Sequence, residues 1–225
     1  MNKKVLVVVA HSDDETISMG GTIKKHFNLG DIIYVMSMTD GISSRDNSNE
    51  NEILIRKNSA KKASSILGFE WTECFDFKDN AMDSHPLLEI VKSIEKVKKI
   101  FNPDLVYTHS VSDLNIDHNI VSRAVLTAFR PTPEESCKEI RLFEVSSSTD
   151  FGVASLNGSF NPNLFIDIKD TWDSKQEALK AYSSEIRAYP HSRSIEGIKN
   201  LAKNRGNQVG YELVEAFEVV RKIED

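Results

Sequence analysis

The residues of this chain best placed to do chemistry are His11-Ser12-Asp13-Asp14-Glu15, which follow directly on the apolar run Val5-Leu6-Val7-Val8-Val9-Ala10. Four ionisable groups within five residues repel and desolvate one another unless something cationic neutralises them, and a bound metal ion is the commonest solution. A helix N-terminus, whose dipole favours acids, would account for Asp13, Asp14 and Glu15 but leaves His11 idle. A second polar knot, Ser112-Asp113-Leu114-Asn115-Ile116-Asp117-His118, follows the apolar stretch around Leu105-Val106-Tyr107. Alone it reads as a helix start capped by Asp113 or Asp117, with His118 in the first turn. Taken with the first knot, His11, Asp14 and His118 make a two-His, one-carboxylate set. Such a set suits zinc with an open position for water, and Asp13 would stand beside that water to take its proton. Iron(II) accepts the same donors.

The elements that must bring these loops together are legible as an alternation. Apolar strand-like runs at 5–10, 32–37, 71–75 and 104–108 are separated by helical patterns at about 16–28, 50–67, 86–100 and 118–129. This predicts an α/β fold: βαβ units on a Rossmann-like, mostly parallel sheet with helices on both faces. Val5–Ala10 is apolar throughout, as a strand buried on both faces should be. Ligands bind such sheets at the carboxyl ends of the strands, so the loops 10–15, 39–41, 76–83 and 109–118 should converge there. Beyond Pro131 and Pro133 the pattern loosens to strands near 141–147 and 163–168 and helices near 172–188 and 194–204. The last segment, 215–220, reads as either a closing strand or a helical turn.

The chain has 225 residues, which fits one domain spanning 1–225, and a formal charge of −6. Its Lys and Arg are spread along the chain, which argues against a nucleic-acid surface and for a small-molecule partner. The two cysteines, Cys74 and Cys137, form neither a CxxC pair nor a framework, as expected of a cytoplasmic protein. The apolar run at 5–10 is too short to insert in a membrane and lacks a signal-peptide cleavage site. Homo-oligomerisation is left open.

Together the two knots resemble the PIG-L/LmbE-like family of zinc-dependent N-acetylglucosaminyl de-N-acetylases, whose hallmark is Ala-His-Pro-Asp-Asp-Glu after the first strand and a later Asp-His. Here these read Ala10-His11-Ser12-Asp13-Asp14-Glu15 and Asp117-His118. Thr39-Asp40-Gly41, the helix carrying Arg56 and ending Ile66-Leu67-Gly68, Asp79-Asn80, Pro190-His191-Ser192-Arg193-Ser194 and Arg205-Gly206 extend the similarity. The resemblance implies zinc on His11, Asp14 and His118 and a general base at Asp13. The implied reaction is attack of metal-activated water on an acetamide carbonyl, releasing acetate and a free amino sugar. Ser12 replaces the usual Pro. Where many members have His-x-Asp-His, this chain has Asn115, which can donate a hydrogen bond but no proton. Either Asn115 serves as an oxyanion donor while Asp13 shuttles the proton, or another His supplies it, and His191 is the candidate.

Substrate contacts are expected from Glu15, Asp40, Arg56, Asp79, Asn80 and Arg193, because guanidinium forks and strand-end carboxylates suit sugar oxygens. Asp79 and Asn80 could equally orient a ligating His, and Glu15 could cap its helix. Tyr182, Tyr189 and Trp172 are candidates for an aromatic wall or for core packing. The leading expectation is a deacetylase of an N-acetylated amino sugar, free, nucleotide-linked or in a glycoconjugate. The alternatives are a zinc amidase acting on a thiol–sugar conjugate and a non-catalytic Rossmann-type ligand-binding protein. No G-x-G-x-x-G opens the first helix, which weakens the last.

Overall fold

The computed structural model describes residues 2–39, 41 and 50–224. β1 (Lys4–Val9), α1 (Asp14–Asn28), β2 (Ile32–Thr39), α2 (Glu50–Leu67), β3 (Glu70–Phe77), α3 (Leu87–Phe101), β4 (Leu105–His109), α4 (Ile116–Ala128) and β5 (Glu139–Phe143) alternate along the chain. They are followed by α5 (Ala154–Asn157), β6 (Leu164–Asp167), α6 (Trp172–Ala181), α7 (Ile195–Asn207) and β7 (Val214–Lys222). The strands form one sheet in the order β3-β2-β1-β4-β5-β7-β6. The first five are parallel, and β7 runs antiparallel between β5 and β6.

The strand period of two explains why β1 is apolar throughout. Val5, Val7 and Val9 join a core with Ile17 and Ile23 of α1, Ala63 of α2 and Leu179 of α6. Leu6, Val8 and Ala10 join a second core with Ile90 and Val97 of α3 and Val121 and Val125 of α4. Both faces are therefore covered, as a parallel sheet requires. The chain builds outward from β1 in one direction through β2 and β3, then returns to add β4 and β5 on the other side. The crevice at that reversal, beyond the carboxyl ends of β1 and β4, is the standard ligand position of such sheets.

α1 is kinked where Met19 leaves helical geometry (φ −137°). The backbone N–H groups of Gly21 and Thr22 donate to the Glu215 carboxylate of β7 at 3.0 and 2.7 Å. Lys175 donates to the same carboxylate at 2.6 Å, so the buried acid is compensated. Gly21 is needed at this crossing, because a Cβ there would lie 2.7 Å from Ile168.

Two boundaries differ from the sequence expectation, and for the final segment the structure selects one of the two expected alternatives. α6 ends at Ala181 and does not run on to 188. Tyr182 turns its phenol into the core, where it donates to Glu15 at 2.9 Å, and the following Ser183-Ser184 are poor helix formers. α4 begins at Ile116 because its cap is Asn115, not Asp113 or Asp117: the Asn115 side-chain oxygen accepts from the N–H groups of Asp117 (2.8 Å) and His118 (3.4 Å). The final segment is a strand, with Val214, Ala216 and Phe217 buried.

Candidate active site

The turn after β1 and the first residues of α4 meet at the crevice, and three atoms converge there. His11 Nδ1, Asp14 Oδ2 and His118 Nε2 lie 3.3, 3.4 and 3.3 Å apart pairwise. A tetrahedral ion with ligand bonds of about 2.0–2.1 Å has ligand–ligand edges of about 3.3–3.4 Å, so the triangle has the dimensions of one face of a metal's coordination shell. The donors are two imidazoles and one carboxylate, all buried. Residues and geometry fit a divalent ion of the zinc type.

Each imidazole is oriented from behind. His11 Nε2 faces Asp79 Oδ1 at 3.0 Å and Asp117 Oδ2 at 3.2 Å, and Asp117 is itself held by the N–H groups of Asn80 (2.7 Å) and Met82 (3.1 Å). His118 Nδ1 faces Asp113 Oδ2 at 3.0 Å, and Asp113 also accepts from the hydroxyls of Ser148 and Thr149. Carboxylates behind the distal nitrogens fix the tautomers and leave Nδ1 of His11 and Nε2 of His118 as the inward lone pairs. The charges follow the same pattern. Burial by itself lowers the pKa of His118, but Asp14 and Asp113 raise it to about 9. Burial opposes ionisation of Asp113, but His118 and the hydroxyl donor hold its pKa at about 2. A ring stack of His109 on His118, 3.9 Å between centroids, closes the inner wall, and His109 Nε2 accepts from the Ala10 N–H at 2.8 Å.

Asp13 occupies the adjoining wall. Its Oδ1 accepts from Arg56 at 3.0 Å, whereas Oδ2 is buried and has no hydrogen-bond partner among the described residues. Burial raises its pKa above the usual carboxylate value, partly offset by Arg56. Arg56 is buried and fully engaged, with Nε on Ser12 Oγ (3.1 Å), one terminal nitrogen on Asp13 and the other 3.1 Å from Glu185. Gly41, at φ +66°, passes so close that a Cβ would lie 2.8 Å from Arg56 Nε. The resulting cleft of about 230 Å³ is lined by His11, Asp13, Asp14, His118, Asp79, Asn80, Asn115, Arg56, Glu185, Arg187, Arg193 and Gly41.

The structure thus brings together His11, Asp13, Asp14, Arg56, Asp79, Asn80, Asn115, His118 and Arg193. Several stand differently from their expected parts. Glu15 does not line the cleft. It is turned into the core, where burial lifts its pKa to about 8 and where it accepts from Thr16, Tyr182 and the Asp13 N–H. Each Arg56 nitrogen already faces a protein acceptor, on Ser12, Asp13 or Glu185. Asp79 is behind His11, the second of its two expected uses. Asn115 spends its oxygen on the helix cap and one amide N–H on Asn80 Oδ1 at 3.1 Å, which leaves its second N–H as a donor at the cleft. His191 is exposed, lies outside the cleft lining, and accepts from the Arg193 N–H at 3.0 Å. Trp172 and Tyr182 are core residues and Tyr189 is exposed, so no aromatic wall forms from them. Asp40 lies outside the described residues. Glu185 and Arg187 escaped the sequence reading because the helix was expected to continue through them.

Residues 6–129 match the model of the PIG-L family, described as GlcNAc-PI de-N-acetylase, and the chain belongs to that family. A Bacillus cereus protein described as probable N-acetyl-alpha-D-glucosaminyl L-malate deacetylase 2 is 26% identical over 196 residues, covering 84% of this chain and 86% of that one. The solved structure of N,N'-diacetylchitobiose deacetylase from Pyrococcus horikoshii matches with a TM-score of 0.78 at 22% identity, covering 97% of this chain and 84% of that one. GalB, the 4-carboxy-2-hydroxymuconate hydratase of Pseudomonas putida, matches with a TM-score of 0.77 at 22% identity, covering 99% of both chains. One fold carrying a deacetylase and a hydratase leaves the reaction to be argued from the site. No helix among the described residues is long and apolar enough to cross a membrane.

Proposed function

We propose that the protein is a metal-dependent N-deacetylase that hydrolyses the acetamide of an N-acetylated amino sugar to acetate and the free amine. The observation that carries this reading is the unpartnered Asp13 Oδ2 beside the triangle of His11, Asp14 and His118. Zinc is the ion proposed, with iron(II) the alternative for the same donors. When bound, the ion would acidify a water and polarise the acetamide carbonyl.

The chain's own residues supply the rest. Asp13 Oδ2 takes the proton that the attacking water gives up as the new C–O bond forms. The same atom returns a proton to the nitrogen as the C–N bond breaks, so water and amide become acetate and amine with no other proton donor. Arg56 holds the opposite carboxylate oxygen still, so that Oδ2 is presented in one direction. With His191 outside the cleft, this one-residue shuttle is the assignment the geometry favours.

The test is acetate release from N-acetylhexosamines by zinc-loaded protein, with Asp13→Asn as control. A fall of roughly 10²–10⁴ in the variant supports the shuttle. Loaded protein that releases no acetate from any of them refutes the substrate reading, and a longer acyl amide on a thiol–sugar conjugate becomes the substrate to assay. Protein that binds no divalent ion refutes the mechanism.

A further inference from the structure

We infer that His109 is a positioning residue for the metal site: its buried imidazole holds the turn that carries His11 and the helix that carries His118 at one spacing. The inference rests on the metal reading of the triangle and not on the identity of the substrate.

The backbone ladder between β1 and β4 stops at Val7 and Tyr107, two residues before either strand ends. Beyond that point side chains of β4 take up backbone groups of β1. The Thr108 hydroxyl donates to the Val8 carbonyl at 3.0 Å, and His109 Nε2 accepts from the Ala10 N–H at 2.8 Å. The two strands are thus joined at the crevice by an imidazole where a main-chain carbonyl would otherwise stand. The face of the same ring lies on His118, 3.9 Å between centroids and 17° from parallel, and Phe143 packs edge-on at 4.9 Å. One side chain therefore touches both arms of the ligand triangle, the residue before His11 and His118 itself. Its Nε2 lies 3.6 Å from Asp14 Oδ2, too far for a hydrogen bond. His109 is wholly buried and does not line the cleft, so it reaches the substrate only through the ligands.

The ring's proton distinguishes this role from core packing. A nitrogen that accepts carries no hydrogen, so the proton of the imidazole is on Nδ1. Nδ1 is buried and has no hydrogen-bond partner among the described residues. A buried donor left unpaired is destabilising, and a ring kept only to fill this space would do better as phenylalanine. The imidazole is accounted for by its other nitrogen. It can stack on His118 and accept from Ala10 at once, whereas phenylalanine has no acceptor and glutamine no ring.

Two substitutions divide these contacts. His109→Phe keeps the stack and loses the acceptor; His109→Gln keeps an acceptor near the Nε2 position and loses the stack. Zinc affinity is measured by chelator competition at a temperature where circular dichroism shows each metal-free variant folded. His109→Phe should bind roughly 10- to 100-fold more weakly than the parent, and His109→Gln should recover part of that loss. Visible spectra of cobalt(II)-loaded protein read the ligand geometry directly and should change most in His109→Phe. A merely structural ring would lower the unfolding temperature of both variants but leave the affinity and the spectrum of the folded protein at parental values, and that result overturns the inference. Glutamine that binds no more tightly than phenylalanine overturns it as well. Should neither variant fold, nitrogen-15 spectra of the native imidazoles decide: His109 is expected to carry its proton on Nδ1 with and without zinc, and a proton on Nε2 refutes the acceptor. Native protein that binds no divalent ion sinks the deacetylase reading and this inference together. Native binding that His109→Phe matches sinks this inference alone.

Discussion

Replacing Arg56 by Met distinguishes the two parts this residue could play. The sequence suggests a guanidinium that reaches substrate; the structure shows a buried strut joining Ser12, Asp13 and Glu185 with all three of its nitrogens engaged. Methionine keeps the length and apolar stem but removes the cation, withdrawing it from two carboxylates whose side chains are 2% and 5% exposed. Removing one partner of a buried ion pair costs about 3–5 kcal/mol. In a domain of this size each kcal/mol lowers Tm by about 2–4 °C, so the variant should melt about 6–20 °C below the parent. The same change frees Asp13 from its fixed direction, and misplacing a reacting group by about 1 Å costs on the order of 10²-fold in kcat. Urea unfolding gives the stability, and initial rates of acetate release give kcat and KM. Glu185→Gln in the Arg56→Met background should cost less than in the parent, with a coupling of about 0.5–3 kcal/mol. A variant destabilised by under about 1 kcal/mol, with KM raised and kcat unchanged, would refute the strut and restore Arg56 as a substrate contact.

Asp113→Ala removes the carboxylate behind His118 Nδ1 and should weaken metal binding roughly 10- to 100-fold in a chelator competition; unchanged affinity would show that His118 needs no such support. His191→Ala should keep turnover within about threefold of the parent, because the ring is exposed and shapes a loop, whereas a loss of roughly 10²–10⁴ would reinstate it as the proton donor. Of the two thiols, exposed Cys74 should react with a maleimide in the native protein and Cys137 should not, since burial pushes the Cys137 pKa up to about 11; equal rates would contradict its burial.

What the sequence disclosed, it disclosed through period and adjacency. The doubly covered β1, the alternation of strands and helices through α4, and the convergence of the turns after β1 and β4 follow from patterns local to the chain. His11, Asp13 and Asp14 are within four positions of one another, and His118 heads the helix after β4, so topology alone carries it to the same crevice. What stayed hidden depends on contacts that no local pattern encodes. Asp113 and Asp117 read as helix caps because that is the common use of an acid there; only the fold shows Asp117 behind His11 and Asp113 behind His118. The end of α6 at Ala181 is set by Tyr182 reaching Glu15, a partner 167 residues away, and the helix period gives no warning of it. Because that helix was expected to continue to 188, Glu185 and Arg187 could not be seen to join Arg193 on one wall of the cleft.

Several acids in a row, as at His11–Glu15, are expected to require a cation. Among the described residues the three acids are accommodated by three different means. Asp13 is matched by the guanidinium of Arg56, which arrives from α2. Glu15 is matched by no cation: the Thr16 and Tyr182 hydroxyls and the Asp13 N–H satisfy it in a buried position that favours its neutral form. Asp14 alone points at the two imidazoles and needs a metal or their protons for balance. One turn therefore divides the acids among three environments, and Ser12 is part of the division. Its hydroxyl accepts from Arg56 Nε at 3.1 Å, a bond that a proline at this position could not make. Where the family's usual proline would stiffen the turn through its ring, this chain ties the turn to the arginine that holds Asp13, so the same substitution that loosens the backbone adds a side-chain anchor to it.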